Sequence, residues 1–502
     1  MDILGDLLGN VQIGLSSAVT PTNLFYCFVG VFLGMVVGVL PGIGTLATMS
    51  MLFPLTFYLE PTTGLIMLAG LFYGSAYGGS TASILLNVPG TPSSAVVCLD
   101  GYPMAKQGRA GVALFMATIG SFFAGSVGII LMMVASPLIV SVALQFSSAE
   151  YFALMALGLI AATAVSEGSA VKGIAMVCMG LFLGSVGLDL YSGMPRYTFG
   201  LIQLSDGISL VAVAMGVFGL SELIVSIRAV KPGEVQHVTL RSMIPTREDW
   251  RRSIGAMLRG TGIGAFFGIL PGVGPTVSAF MSYAVERKIS KNPGEFGNGA
   301  IEGVVAPESA NNASDQTAFI PTLTLGIPGS AMMALLLGVL IMHGITPGPS
   351  LMAERPDMFW GLVMSFWIGN LILLILNIPL ISLWVSILRV PYKFLFPAIS
   401  MFICIGVYSI NNSPFDVVLV VAFGLFGYVA RILGFSLAPL ILGFVLGPLM
   451  EEHFQRAMIQ SRGNVAILFE RPISGTIMVI VLALVAWAVW GAFKRRRQTA
   501  SA

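Results

Sequence analysis

Charge is scarce in this chain. Of its 502 residues only 10% are Asp, Glu, Lys or Arg, where soluble domains carry about a quarter. So little charge cannot cover the 56% of hydrophobic residues in water. Histidine is limited to His237, His343 and His453, which form no cluster. The four cysteines, Cys27, Cys98, Cys178 and Cys404, are scattered through apolar segments without metal-ligand spacing. They read as small buried hydrophobes with free thiols, which leaves no expected disulfide, cofactor or resident metal. A net charge of +2 gives no reason to expect nucleic acid. Lys and Arg are missing altogether before Lys106, where the charged residues are Asp2, Asp6, Glu60 and Asp100. A start carrying Asp2 and Asp6 lacks the basic region of a cleavable signal peptide, so none is expected.

What the chain has in quantity is apolar blocks long enough to cross a bilayer, which takes about 20 residues per helix. Val112–Ile139, Val171–Leu190, Ile208–Ile227, Phe359–Leu388 and Ile477–Phe493 are examples. They are apolar on all faces instead of alternating, so they predict helices and not a β-barrel. The expected fold is an all-α polytopic membrane protein with about 11–12 membrane segments. Orientation follows the basic residues, which concentrate in cytoplasmic loops. Arg228, Lys231, Arg241, Arg247, Arg251, Arg252 and Arg259 fill the one long polar interruption, Arg287, Lys288 and Lys291 follow, and Lys494 to Arg497 form a basic tail. All three groups are placed in the cytoplasm, and the N-terminus outside.

The sequence also repeats. Gly30, Gly34, Gly38, Leu40, Pro41, Gly42 and Gly44 recur as Gly260, Gly264, Gly268, Leu270, Pro271, Gly272 and Gly274 at a constant offset of 230. Further on, Val88-Pro89-Gly90 parallels Ile327-Pro328-Gly329, and Ser75, Ala76 and Ser80 are lined up with Ser309, Ala310 and Ser314. The chain therefore divides into an N-terminal, periplasmic segment 1–23; a first repeat 24–228; a basic cytoplasmic loop 229–255; a second repeat 256–450; a loop 451–473; a final transmembrane helix 474–493; and a cytoplasmic tail 494–502. Glycine every four residues lets a second helix approach closely, so the two glycine stripes read as packing. Leu-Pro-Gly-x-Gly breaks the helix, which lipid tolerates only where backbone faces protein or a water-filled cavity. Residues 24–58 and 256–284 thus read as re-entrant hairpins with tips at Pro41, Gly42, Gly44, Pro271, Gly272 and Gly274; two short full crossings joined by a turn are the alternative. The first hairpin has acidic flanks and the second basic ones, so the repeats are expected to be inverted, with broken helices near the midplane.

Each hairpin is followed by a polar, broken segment, 70–98 and 302–343. Polar side chains at membrane depth face the bundle interior or a cavity. Ser80, Thr81, Asn87, Pro89, Gly90, Thr91, Ser93, Asn311, Asn312 and Ser330 are candidates to bind substrate at the breaks, where freed backbone N–H groups attract carboxylates. Glu308, Ser309, Ser314 and Asp315 are candidates to couple an ion, Na⁺ or H⁺. Glu302 reads as part of a solvated loop, and Lys172 and Arg431 as residues that snorkel from helix ends, with no span holding a convincing buried Arg or Lys pair.

At these residues the sequence resembles the large transmembrane subunit of tripartite tricarboxylate transporters, the TctA family. The stretches that carry the resemblance are GVLPGIG (38–44), YGGSTASILLNVPGTPSS (77–94), GILPGVG (268–274) and EGVVAPESANNAS (302–314), and it extends over about residues 20–450. The resemblance implies a bacterial inner-membrane, multi-pass permease that works with a small four-helix membrane subunit (TctB-like) and a periplasmic solute-binding protein (TctC-like). It implies import of di- or tricarboxylates such as citrate, driven by an ion gradient; no Walker motif is present. By the same resemblance Asn87, Pro89-Gly90, Thr91, Glu308, Ser309, Asn311, Asn312 and Ser314 are the site positions.

A passive channel would want a continuous polar stripe along several spans, whereas polarity here gathers around the breaks. A membrane enzyme would need a positioned base beside a nucleophile or a metal motif. His343 is the one histidine near the polar segments and has no evident partner, so the chain reads as a non-enzyme.

Overall fold

Backbone in lipid must satisfy its own N–H and C=O groups, and a helix does so within one segment. The computed structural model of the chain describes residues 3–40, 44–165, 170–189, 192–226, 238–270, 273–387 and 392–500. Among these, strand is confined to a two-residue antiparallel ladder of β1 (Gly187–Leu188) and β2 (Pro195–Arg196). The rest of the regular structure is helical, and the protein is an all-α polytopic membrane protein.

The first half runs α1 (Ile3–Ala18), α2 (Pro21–Val39), α3 (Thr45–Thr56), α4 (Pro61–Leu86), a 3₁₀ turn at Pro92–Val97, α5 (Cys98–Met104), α6 (Ala110–Ala143), α7 (Ser148–Val165), α8 (Ala170–Gly184), α9 (Leu210–Ala214) and α10 (Ser221–Ser226), the last two joined by π-helical turns. The second half runs α11 (Arg247–Ile269), α12 (Gly274–Ile289), α13 (Glu302–Thr317), α14 (Phe319–Leu325), α15 (Ala331–Met342), α16 (Pro349–Glu354), α17 (Pro356–Asn377), α18 (Ile381–Ile387), α19 (Tyr392–Asn411), α20 (Pro414–Ile432) and α21 (Ala438–Gln460). The chain closes with α22 (Ile467–Glu470) and α23 (Pro472–Ala500). Among the described residues α2, the stretch ending in α6, α17 and α20 are long and apolar enough to cross a membrane, and seven further apolar helices have 10–17 residues. Helix α21 runs to Gln460 and α11 starts at Arg247, so each extends into a stretch that sequence patterning reads as loop. The cause is polarity: charged turns at the ends of these helices break the apolar run without breaking the helix.

The halves share a local design. Helix α2 crosses α4 so closely that a Cβ on Gly34 would lie 2.9 Å from the Leu71 Cα, and one on Gly30 would lie 2.9 Å from the Met67 carbonyl carbon. Helix α11 crosses α13 in the same way, with a Cβ on Gly264 2.7 Å from the Ala310 Cα and one on Gly268 2.7 Å from the Ser314 Cα. Met67, Leu71 and Ser75 thus correspond to Ala306, Ala310 and Ser314, at an offset of 239 that also relates the two Pro-Gly breaks. This corrects the alignment of Ser75 and Ala76 with Ser309 and Ala310: Ser75 is the counterpart of Ser314. The shared design continues at the breaks. Asn87 and Gly326 end their helices in left-handed backbone, φ 58° and 72°. Gly44 and Gly274 leave the hairpin tips at φ 70° and 66°, a conformation that favours glycine. Pro41, Gly42, Pro271 and Gly272 lie outside the described residues.

The halves are also interlocked. Helix α6 covers α13, while α17 covers α4; α12 packs on the Pro92–Val97 turn, while α3 packs on α15; α8 packs on α21, while α20 packs on the α9–α10 stretch. Asp100, fully buried on α5, anchors one such crossing. Its Oδ1 accepts backbone N–H bonds from Gly297 (2.8 Å), Gly299 (2.9 Å) and Ala300 (2.9 Å), and its Oδ2 accepts the Tyr283 hydroxyl at 2.9 Å. Nearby, Arg252 holds Glu302 through two bonds of 2.6 and 2.7 Å, Arg259 holds Glu286 at 2.6 and 2.9 Å, and Arg109 pairs with Asp249. Glu302 is therefore the ion-paired first residue of α13 and not part of a solvated loop. Lys172 reaches the Leu433 carbonyl at 2.6 Å, but Arg431, instead of snorkelling, pairs with Glu222. Asp100→Ala would leave three N–H groups and one hydroxyl without their acceptor, at about 1–3 kcal/mol for each group that stays dry. A stability loss of at least about 3 kcal/mol is expected, against about 1 kcal/mol for Tyr283→Phe, which removes one donor. Unfolding of the two purified variants in mixed micelles checks the difference.

Candidate functional site

All sixteen residues of α13 are buried, although its sequence, EGVVAPESANNASDQT, is polar over most of its length. Burying polar groups costs free energy unless they find partners. Some do. Asn312 Nδ2 donates to Ser121 Oγ on α6 (2.8 Å), to the Glu308 carbonyl (3.0 Å) and to Asn311 Oδ1 (2.6 Å). Ser121 in turn donates a long 3.4 Å bond to Glu308 Oε2. Many do not. Glu308 Oε1, Ser309 Oγ, Asn311 Nδ2, Ser314 Oγ, Asp315 Oδ1 and Gln316 Oε1 are all buried without a hydrogen-bond partner. A group of unpaired buried polar atoms on one helix, two of them carboxylate oxygens, makes α13 the candidate site. Pro307 adds to it, since a helical proline cannot donate to the Gly303 carbonyl.

Three neighbouring helices, α4, α6 and α17, complete the surroundings. A narrow crevice beside α13 is lined by Tyr77, Ser80, Thr81, Leu114, Ala117, Thr118, Ser121 and Asn377. It is nowhere wide enough for a water molecule. Thr81 Oγ1 and Asn377 Oδ1 face no partner, while Asn377 Nδ2 donates to Thr118 Oγ1 at 2.6 Å. Tyr77 donates to Asn370 Oδ1 at 2.9 Å, and Asn370 Nδ2 reaches the Phe122 carbonyl (3.0 Å) and Ser126 Oγ (3.1 Å). None of the groups lining the crevice or bonded to the α13 cluster is cationic.

The predicted residues fall into three places. Ser80, Thr81, Glu308, Ser309, Asn311, Asn312, Ser314 and Asp315 are buried in or beside the cluster, with Ser314 turned to the α11 crossing at Gly268. Thr91 and Ser93 belong to a second hydroxyl group over Gly79, where Thr91 Oγ1 lies 3.2 Å from both Ser93 Oγ and Ser94 Oγ, and Ser83 donates to Ser94 at 3.0 Å. Gly90 is buried against Gly38, whereas Asn87 and Pro89 are exposed at the break. Ser330 caps α15 by accepting from Met333 N at 3.3 Å, and the Gly274 end of the second hairpin sits beside it. Sequence reasoning missed Tyr77, Thr118, Ser121, Asn370 and Asn377. The signal for the last two was available: they are the two amides of an apolar block and share one face of α17 at a spacing of seven.

The carboxylates and amides of the site come from the second half alone. At the offset of 239, Glu308, Asn311, Asn312, Asp315 and Gln316 correspond to Ala69, Phe72, Tyr73, Ala76 and Tyr77. Helix α13 supplies carboxylates and amides where α4 supplies aromatic rings and methyls.

Residues 24–442 match the family described as the tripartite tricarboxylate transporter TctA family. The chain belongs to that family. It is 50% identical, over 98% of both chains, to an uncharacterised 52.8 kDa protein from the TAR-I ttuC′ 3′ region of Agrobacterium vitis. A second uncharacterised protein, from the TAR-II ttuC′ 3′ region of the same organism, is 53% identical over 47% of this chain and 97% of its own length. No solved structure matches the chain. As a TctA-family protein it is a membrane-embedded permease subunit of a tricarboxylate transporter, and the buried α13 cluster is its candidate site.

Proposed function

We propose that this TctA-family subunit imports small carboxylates across the bacterial inner membrane by cation-coupled alternating access, with a TctB-like membrane subunit and a TctC-like periplasmic binding protein as partners. The observation that carries the reading is the buried set of orphaned acceptors on α13 beside a crevice with no cationic lining. An anionic substrate and two buried carboxylates repel one another strongly at low dielectric. Substrate enters such a site only once cations, Na⁺ or H⁺, have neutralised Glu308 and Asp315, and that order of events is the coupling. Hydroxyls and amides of Ser80, Thr81, Asn311 and Asn312 then meet the substrate carboxylates, together with backbone N–H groups at the two breaks.

The crevice is too narrow for substrate, so the described state is closed and transport requires the halves to shift. Interlocked repeats of opposite orientation would do this by rocking one set of elements against the other. The basic residues near the ends of α10 and α11 support a cytoplasmic location for that end, with the chain crossing the membrane several times from there. Reconstitution with the two partners tests the proposal. Uptake should follow an imposed Na⁺ or pH gradient and fall to the passive level when that gradient is collapsed. Uptake indifferent to both gradients would make the chain a facilitator.

A further inference from the structure

One surface feature lies far from the α13 cluster. Just before β2 and from there to the start of α9, the chain presents Met194, Tyr197, Phe199, Leu201 and Ile202 outward, with Phe199 84% and Ile202 81% exposed. From Tyr197 to Leu204 the sequence YTFGLIQL has no charged residue. Water is a poor environment for such a surface. The loop is not slack either. Arg196 is held by Glu451 at 2.6 and 3.2 Å and by Asp189 at 3.4 Å, and Leu188 N donates to the Ser205 carbonyl at 3.0 Å. Tyr197 and Phe199 both adopt left-handed backbone, φ 53° and 52°, which bulky residues seldom take unless the surroundings impose it.

Continuity identifies what covers this surface. On α8, Val171, Ala175, Cys178, Met179 and Phe182 form one exposed apolar face, opposite the Gly180 face packed on α21. That face is the lipid side of a membrane helix. The Tyr197 ring lies 4.9 Å from the Phe182 ring, so the lipid-facing surface of α8 runs without interruption onto the loop tip. The stretch Leu210–Ser226 spans about 25 Å between this loop and the basic loop, which puts the tip at the outer face.

We propose that residues 192–207, braced on β1, form a foot seated in the interfacial layer of the outer leaflet, with Phe199 and Ile202 inserted among glycerophospholipids. The inference rests on the membrane orientation given under the proposed function. Its consequence is a fixed reference: α21, tied to the foot through Arg196 and Glu451, and α8 packed on it hold station in the bilayer while other elements move.

Nitroxide labels test it. The full chain, with its native cysteines replaced, carries Phe199→Cys, Ile202→Cys or, as an aqueous control, Lys291→Cys, and is reconstituted in phosphatidylcholine–phosphatidylglycerol vesicles. Labels at 199 and 202 should relax several-fold more with oxygen than with a water-soluble nickel chelate, relative to the label at 291. Chelate access at 199 and 202 equal to that at 291 overturns the foot and points to a protein partner on this surface. Uptake by the same labelled variants, co-reconstituted with the two partner subunits, separates the two claims: labels in lipid without gradient-driven uptake leave the foot and remove the coupling, and labels in water with such uptake do the reverse.

Discussion

Asp315→Asn is expected to cut gradient-driven uptake by about 100-fold, near the upper end of ordinary coupling free energies between two ligands, while leaving the amount of folded protein in the membrane unchanged. The side chain keeps its volume and its carbonyl-type oxygen, so packing is preserved. What it loses is the charge that draws a cation. Asp315 is 2% exposed and its Oδ1 has no partner, so nothing among the described contacts compensates that charge. Glu308→Gln should act in the same direction but less fully, because Ser121 and its own helix neighbours already engage part of that carboxyl. The equivalent positions in the first half are Ala69 and Ala76, so no second carboxylate pair on α4 can substitute. Uptake by Asp315→Asn at the normal rate, still responding to the gradient, would remove Asp315 from the coupling site. Counting the variant in the membrane by immunoblot and its unfolding midpoint in detergent separates lost coupling from lost protein.

What the sequence makes legible is the backbone. Gly-x-x-x-Gly and the Pro-Gly breaks constrain chain geometry directly, so their recurrence marks the crossing helix and the break in both halves. The side chains mislead where chemistry is matched to chemistry. Pairing Ser75 with Ser309 aligns one hydroxyl with another, yet the repeat is kept at the positions that touch glycine backbone, and there Met67 and Leu71 face Ala306 and Ala310. The second half also holds nine more residues between tip and crossing helix, in the region whose loop wraps Asp100, and a gap of that kind leaves no trace in composition.

The site was half legible for the same reason. Polar residues on α13 stand out because they interrupt an apolar chain. Ser121, which bonds to α13, and Asn370 and Asn377, which bond to Tyr77 and Thr118 around the crevice, come from helices separated by many residues and exchanged between the halves. One serine or asparagine in an apolar helix reads as back-bonding to its own turn, and only the exchange shows otherwise. Asp100 is the clearest case: one acid among few in the first hundred residues, it is fixed by N–H groups some 200 positions away.

Gly264→Ala should destabilise the protein by about 1–3 kcal/mol or more, the range for overpacking a filled interface, while Gly262→Ala, two residues away on the same helix, should be neutral or stabilising by up to about 1 kcal/mol through helix propensity. The contrast isolates the crossing. A methyl on Gly262 meets nothing within 4 Å, whereas one on Gly264 would overlap the Ala310 carbonyl, 2.7 Å from its carbon. Backbone cannot rotate aside as a side chain does, so relief requires α11 and α13 to separate. Separation would loosen the helix that carries Glu308 and Asp315 and would let water reach their orphaned oxygens. Gly34→Ala should behave like Gly264→Ala, since its methyl would lie 2.9 Å from the Leu71 Cα and 3.0 Å from the Gly74 Cα at the corresponding α2–α4 crossing. Unfolding midpoints of the three purified variants settle the order, and equal midpoints for Gly262→Ala and Gly264→Ala would mean that the glycine stripe does not set the distance between hairpin and site helix.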